Sequence, residues 1–336
     1  MKFGPVPVDE AEGCILAHAM QAANGQPRIA KGTRLTQMDI AGLKAQGHAT
    51  VIVARLGPDD ITEDAAATLL AKALVPDPAQ NGVRLTTART GRVNVVAQGP
   101  GIVRIDIAGI RAVNGVNPMI TVATLPQWQR VTQGTLIATI KIISYAVPRA
   151  DIDRACGRGQ ASLGVLAPVV SSAALIETQI PGARLSDKGQ KALRMRLDRL
   201  GVALSPPATV AHDVTGLTEA LRTAKGEVLF ILTGSATSDS DDVAPSALRQ
   251  AGGVVDHFGM PVDPGNLLFL GRLRGRPVIG LPGCARSPAL NGADWVLERV
   301  ICGVPPTPED IAAMGIGGLL KEIPQRPSPR RGGGSD

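Results

Sequence analysis

Val228-Leu229-Phe230-Ile231-Leu232 runs without a polar residue into Thr233-Gly234-Ser235-Ala236-Thr237-Ser238-Asp239-Ser240-Asp241-Asp242, and Val243 to Ala251 then reads as a helix. A short, wholly apolar run bounded by small polar residues is the pattern of a strand buried on both faces. The pattern recurs. Beyond Pro264-Gly265-Asn266 and a Gly271-Arg272-Leu273-Arg274-Gly275-Arg276 turn, a second apolar run ends in Leu281-Pro282-Gly283-Cys284-Ala285-Arg286-Ser287-Pro288. A helix is expected there, with Ser287 as N-cap and Pro288 in the first turn, where a missing N–H costs nothing. Twice a buried strand empties into a small-residue loop facing a helix start, the arrangement that binds anions at the carboxyl edge of a parallel sheet.

Outward from this stretch, strands and helices alternate. Leu163–Val170 reads as a strand, Ser186–Leu200 as a basic amphipathic helix, and Val202–Val210 as a second strand. Thr215–Ala224 and Pro245–Gln250 read as helices, Val254–His257 and Val278–Leu281 as strands. The fold class is therefore α/β, with a C-terminal doubly wound, mostly parallel sheet and helices on both faces. Smaller α+β and β-rich regions precede it. In the first, Thr36 caps a helix to Ala45, Gly47 stops it, and Thr50–Ala54 is a β-branched strand. A second helix starts within Pro58–Asp64 and ends at Val75-Pro76. Period-two patterning then gives strands at Val93–Val96, Gly101–Ile107, Met119–Ala123 and Leu136–Ile140. Between Pro148 and Gly159 core signal is weak. The expected divisions are 1–78, 79–150, 151–305, and 306–336, the last a short helix and a disordered Pro/Arg/Gly tail.

The 336 residues are 44% hydrophobic with mean hydropathy +0.12, enough for real cores and unlike a disordered chain. No apolar run reaches the ~20 residues of a membrane helix. Met1-Lys2-Phe3-Gly4-Pro5 lacks the apolar core of a leader, so a cytoplasmic protein is expected. Cys14, Cys156, Cys284 and Cys302 stand too far apart for a zinc knot or a disulfide framework. The net charge of +6 invites a nucleic-acid reading. Aromatics at 2% leave few stacking platforms, and Arg326, Arg330 and Arg331 lie in the polar tail, so nucleic acid is not expected as a partner.

In the acidic loop, Ser235, Thr237, Ser238 and Ser240 offer hydroxyls beside Asp239, Asp241 and Asp242. Carboxylates repel an anion, so a phosphate there needs loop amides or a bridging Mg²⁺. Asp241 or Asp242 as a mere helix cap is the simpler alternative. The Pro282–Ser287 loop has better anion chemistry, with Gly283 for close approach and Arg286 as a charged fork. Arg272, Arg274 and Arg276 alternate along the hairpin and could share a face or simply be solvated. His18, His48, His212 and His257 fit no ligand spacing.

These loops resemble the molybdopterin-binding domain shared by molybdopterin molybdenumtransferases and gephyrin-like proteins. That family's pattern is a strand, a Gly-Gly-x-Ser-x-Gly-Asp-x-Asp loop, a helix, Pro-Gly-Lys, a Gly-Arg hairpin and Leu-Pro-Gly-Asn-Pro. Here the counterparts are Thr233–Asp241, Pro264-Gly265-Asn266, Gly271-Arg272 and Leu281–Ala285, within roughly 163–303. The departures are Ser235 for a glycine, Ser238-Asp239 for Gly-Asp, Asn266 for Lys and Cys284-Ala285 for Asn-Pro. An acidic segment expected after the first strand is replaced by Ser171–Leu175.

The resemblance implies molybdopterin or molybdenum cofactor as ligand, held by Gly234, Ser235, Thr237, Ser238, Pro264, Gly265, Arg272, Pro282, Gly283, Arg286 and Ser287. Asp239 and Asp241 would be the catalytic pair, holding Mg²⁺ or facing the molybdate end. It also implies a homo-oligomer. Three readings stay open: a carrier in cofactor assembly or hand-over, an active molybdenumtransferase, and an adaptor docked through its basic tail on a nucleotidyltransferase or molybdoenzyme maturation factor.

Overall fold

Glu227, exposed just ahead of the central buried strand, accepts four hydrogen bonds from the backbone and hydroxyl groups of Ser171 and Ser172 at 2.8–3.0 Å. It thereby sets the start of one strand beside another. The computed structural model in which this is seen describes residues 1–21, 28–182 and 186–320, so the arginine tail lies outside the described residues. Contacts divide the chain into two units, 1–99 with 103–165, and 100–102 with 166 onward.

The first unit begins with β1 (Lys2–Pro7), β2 (Ile15–Leu16), α1 (Gln37–Ala45) and β3 (Thr50–Arg55), with β3 central in a three-stranded antiparallel sheet. Thr36 and Asp39 form a capping box at α1. Val8, Leu16, Leu35, Leu43 and Val53 fill a small core of their own. Then follow β4 (Asp60–Thr62), α2 (Glu63–Leu74), β5 (Val83–Leu85), β6 (Arg92–Ala97), β7 (Gly101–Ile105) and α3 (Ile107–Asn114). The unit closes with β8 (Ile120–Thr124), β9 (Arg130–Val131), β10 (Leu136–Ile142), β11 (Ala146–Pro148), α4 (Arg149–Arg158) and β12 (Leu163–Leu166). The sheet β5-β6-β10-β8 packs on α2 through one core running from Ala66 to Val165.

Several expectations need correction here. Ile107 ends no strand, because Asp106 accepts the Gly109 N–H at 3.0 Å and starts α3. The stretch after Pro148 is helix α4, whose few buried residues, Ile152 and Ala155, left little periodic signal. Helix α2 and the strands after residue 78 share a core, and the contacts divide the chain at 165. Leu163–Leu166 pairs with β7 in the first unit, so the C-terminal sheet begins later.

That sheet is built from β13 (Ser172–Gln179), α5 (Lys188–Asp198), β14 (Ala203–Leu204), β15 (Ala208–Ala211), α6 (Val214–Thr223), β16 (Val228–Leu232) and α7 (Val243–Gln250). It continues through β17 (Val254–Phe258), β18 (Phe269–Leu273), β19 (Arg276–Leu281), α8 (Gly292–Ile301) and α9 (Pro308–Ala313). Its order is β14-β13-β16-β19-β18-β17, with β15 also on β13. The strand expected at Val202–Val210 is thus two short ones. Alternate residues of the central strands face opposite ways. Leu229 and Ile231 bury against Leu217 and Leu221 of α6 and Leu248 of α7. On the other face Gly189 of α5 packs on Leu232, where an added Cβ would lie 2.2 Å from the leucine side chain. β13, β16 and β19 are parallel, while β17 and β18 are antiparallel, their connections being too short for a crossover helix.

The bonds from Ser171 and Ser172 hold the Glu227 carboxyl well below its ordinary value, at about 2. A carboxylate depressed in the folded state stabilises above its unfolded pKa, and that stabilisation fades as the pH falls toward the folded value. Glu227→Gln should therefore lower the urea midpoint at pH 7 and narrow its gap to the natural chain at pH 3. An equal gap at both would show that these bonds do not hold the strand start.

Candidate functional site

Glu177 of β13 stands opposite Leu232 of β16, and Leu232 opposite Leu281 of β19, so three parallel strands end in one row. Adjacent strands are ~5 Å apart, which makes the segments following them neighbours from their first residue. These are 180–182, 233–242 and 282–291.

The first bend is tied down locally. Gly234 donates its N–H to Thr178 Oγ1 at 2.9 Å, and that hydroxyl also bonds His212 Nδ1 at 2.7 Å. A side chain at Gly234 would put its Cβ 2.8 Å from the Thr178 carbonyl, so the close approach requires glycine. Thr233 Oγ1 bonds the Ser235 carbonyl at 2.5 Å and lies 3.2 Å from Thr237 Oγ1, both threonines being buried. The N–H groups of Ser235, Ala236 and Thr237 have no acceptor among the described residues.

The carboxylates of this loop serve folding. Asp242 accepts from Val243 N at 2.7 Å and Ser238 N at 2.9 Å, capping α7. Asp239 accepts from Asp241 N at 2.8 Å, and Asp241 faces Arg249 at 3.5 Å. Arg249 also donates to the Ser240 carbonyl at 2.6 Å. Asp239 and Asp241, expected as a Mg²⁺-holding pair, are each engaged within the loop, and no group of three or more His, Cys, Asp or Glu able to hold a metal occurs among the described residues.

The second bend is a 3₁₀ turn, Gly283–Arg286, entered from Pro282. Ser287 does not cap the following helix. The chain passes through Pro288, Ala289 and Leu290, and Asn291 caps α8 in a capping box with Asp294. Asn291 lies inside the cap signature Asn-x-x-Asp, a signal the Ser-Pro pair outshone. Arg286 Nη2 reaches across to the Thr233 carbonyl at 2.7 Å, so the two bends are joined. Arg286 also pulls down the half-buried Glu177 carboxyl, against the larger effect of burial, which pushes it up.

What positions this bend is Arg196 of α5, 5% exposed. Its guanidinium donates to the carbonyls of Ala285 at 2.9 Å, Ser287 at 2.9 Å and Ala289 at 3.2 Å, and pairs with Asp294. Nothing in a basic amphipathic stretch marks which arginine turns inward, so Arg196 was not legible. Thr178 and Glu177 are not legible from a strand expected at Leu163–Val170, and His212, which fits no ligand spacing, bonds Thr178 instead. Ser171–Leu175 opens that strand, and the residues after it are Ile180-Pro181-Gly182.

A third segment closes the cleft. Pro264 accepts the Gly292 N–H at 2.8 Å, and a Cβ on Gly265 would lie 3.0 Å from Gly292 Cα, so two glycines let this segment rest on the start of α8. A cavity of about 360 Å³ lies among Ala236, Pro264, Gly265, Pro282, Gly283 and Ser287. Arg272 is not there. It sits opposite Pro277 near the amino end of β19 and forms an ion pair with Asp256 at 2.7 Å. Leu273 faces Arg276 across the hairpin, so Arg272 and Arg276 point to opposite faces, and Arg276 caps α6 through the Ala224 carbonyl at 2.9 Å.

Comparison with known proteins fits this description. Residues 169–301 match the family model described as "Probable molybdopterin binding domain", and residues 5–55 match a domain of unknown function. The first match spans less than half of the chain. No curated protein matches. Two solved structures of molybdopterin biosynthesis moeA proteins from Pyrococcus horikoshii align at 15% and 10% identity. The first alignment covers 89% of this chain and 75% of the other with a TM-score of 0.29, the second 74% and 80% with 0.26, values too low to support fold or function.

Arg196→Met should lower stability by about 3–5 kcal/mol in urea unfolding, because it strands the buried Asp294 charge. Adding Asp294→Asn should recover part of that loss. No loss in the single variant would remove Arg196 from its positioning role.

Proposed function

We propose that the cleft binds the phosphorylated pterin of molybdopterin or molybdenum cofactor, for cofactor biosynthesis or hand-over, a reading supported by the match of residues 169–301 to the molybdopterin-binding family model. The observation that carries the reading is that Arg286 joins the two glycine bends and that both bends line one cavity of about 360 Å³, through Ala236 on one side and Pro282, Gly283 and Ser287 on the other. That volume lies within the ~300–1,000 Å³ of ordinary small-molecule sites.

The residues present fit a phosphorylated ligand. Three neighbouring backbone N–H groups of the first bend, Ser235 to Thr237, have no acceptor among the described residues and suit a phosphate. Gly283 allows close approach at the second bend, and Arg286 adds positive charge between the two. Pro264 and Gly265 form the wall on which a flat ring can rest. The pterin supplies the dithiolene that carries molybdenum; this chain supplies binding, orientation and partial exclusion of water.

The molybdate-transfer reading has less support from the geometry. Asp239 and Asp241 are engaged within the loop, Asn266 stands where the family pattern has lysine, and Cys284 accepts a hydrogen bond from Asn291 at 3.1 Å. A carrier needs no bound metal, whereas molybdate transfer would need a cation, a metal ion held by carboxylates or a lysine, to neutralise the developing charge. The proposal includes self-association and a nucleotidyltransferase or molybdoenzyme maturation factor as partner, since the cofactor passes between proteins.

Purified chain should bind molybdopterin in a fluorescence titration. Arg286→Ala should weaken binding by about 1.5–3 kcal/mol, the worth of a charged hydrogen bond. Unchanged affinity would take Arg286 out of the site. An assay of molybdate-dependent AMP release from adenylylated molybdopterin should show no turnover while binding persists; sustained turnover would establish the transferase instead.

A further inference from the structure

A cavity of about 720 Å³ in the first unit contains no residue of the 169–301 segment. It lies where the β1 strand, the segment around Lys31, the Thr90-Gly91 turn and the β10–β11 connection meet. Part of its lining is apolar and open to solvent: Phe3 is 58% exposed, Ile143 56% and Met119 39%. Contiguous exposed apolar side chains around a concavity mark a binding site more often than a bare surface.

The polar part of the lining is cationic. Lys31 holds its ammonium 5.9 Å from the centre of the Tyr145 ring and has no carboxylate partner among the described residues. Tyr145 is fixed by donating its hydroxyl to the Ala17 carbonyl at 3.1 Å. Lys141 lies 3.7 Å from Glu63 and also donates to the Thr90 carbonyl. Lys31, Lys141 and Glu63 all line this one cavity. Burial raises the Glu63 carboxyl, and the lysines oppose it. Among the lining residues two ammonium groups thus stand with one carboxylate and His18, while Asp64, which also acts on Glu63, is held by the Gly91 N–H outside the lining.

The mouth is also strained. Thr90 adopts φ +48°, a left-handed conformation that a β-branched residue rarely takes. The Lys141 bond to its carbonyl and the Gly91 N–H bond to Asp64 at 2.6 Å hold the turn in that shape. Strain maintained by specific bonds beside a cavity is characteristic of ligand clamps.

We propose that this cavity is a second binding site, for a small organic anion whose acidic head lies between Lys31 and Lys141 and whose apolar body rests on Phe3, Met119 and Ile143. The charge excess selects the anion, and the exposed apolar wall selects the body. Inorganic anions would lack the second contact.

The test uses full-length chain labelled at its methionine methyl groups, seven in number, with the Met119 signal assigned through Met119→Leu. Phenyl phosphate and benzoate are titrated separately. Saturable movement of the Met119 signal with a Kd below about 1 mM is expected for at least one probe, and which one binds identifies a phosphate or a carboxylate head. Lys31→Glu should weaken it by at least about tenfold and Lys31→Arg should preserve it. Ile143→Asp, at an exposed position, should weaken it as well and covers the case in which Lys31→Glu does not fold. No saturable shift with either probe, or unchanged affinity in the folded variants, would overturn the proposal. Since the signal arises in the first unit, failure here would leave the pterin reading standing.

Discussion

A single buried guanidinium, that of Arg196, determines whether the second half of the cleft exists. Three carbonyls within five residues, those of Ala285, Ser287 and Ala289, turn toward it, and Asp294 neutralises it. An irregular segment following a buried strand needs partners for its carbonyl groups, and here one side chain from α5 supplies them. Asp294 also accepts the Asn291 N–H at 2.8 Å, so the same charge fixes the start of α8. From that anchored turn Arg286 can cross to Thr233. The order of dependence is clear: Arg196 shapes the bend, and the bend aims Arg286.

The opposite bend is held without any buried charge. Thr178 receives Gly234, Asp242 caps α7, and Arg249 gathers Ser240 and Asp241. These local bonds engage the carboxylates of the loop and leave the Ser235–Thr237 amides without an acceptor among the described residues. That division of labour suits recognition of a phosphate better than handling of a metal ion.

Much of this was legible in the sequence. The wholly apolar Val228–Leu232, the capping signals at Thr36 and Asp242, and the glycine-bearing bends identified strands, helices and the edge where the cleft lies. What escaped depends on tertiary contacts. A helix with only two buried residues, α4, and a helix nucleated by Asp106 directly after a strand present no distinct period. The resemblance points to Arg272 through its Gly-Arg hairpin, but the sequence does not tell which end of the hairpin the position occupies. Arg196, the residue that matters most to the loop geometry, is one of several arginines on a basic helix. Only the fold shows that it turns inward.

Hydrogen exchange of the full chain, read by mass spectrometry with and without molybdopterin, tests the central claim most directly. Slower exchange in 233–238 and in 282–287 together, with little change across residues 1–165, is the predicted result. Protection of neither segment, or of one without the other, would contradict a cleft in which both bends hold the same phosphorylated ligand.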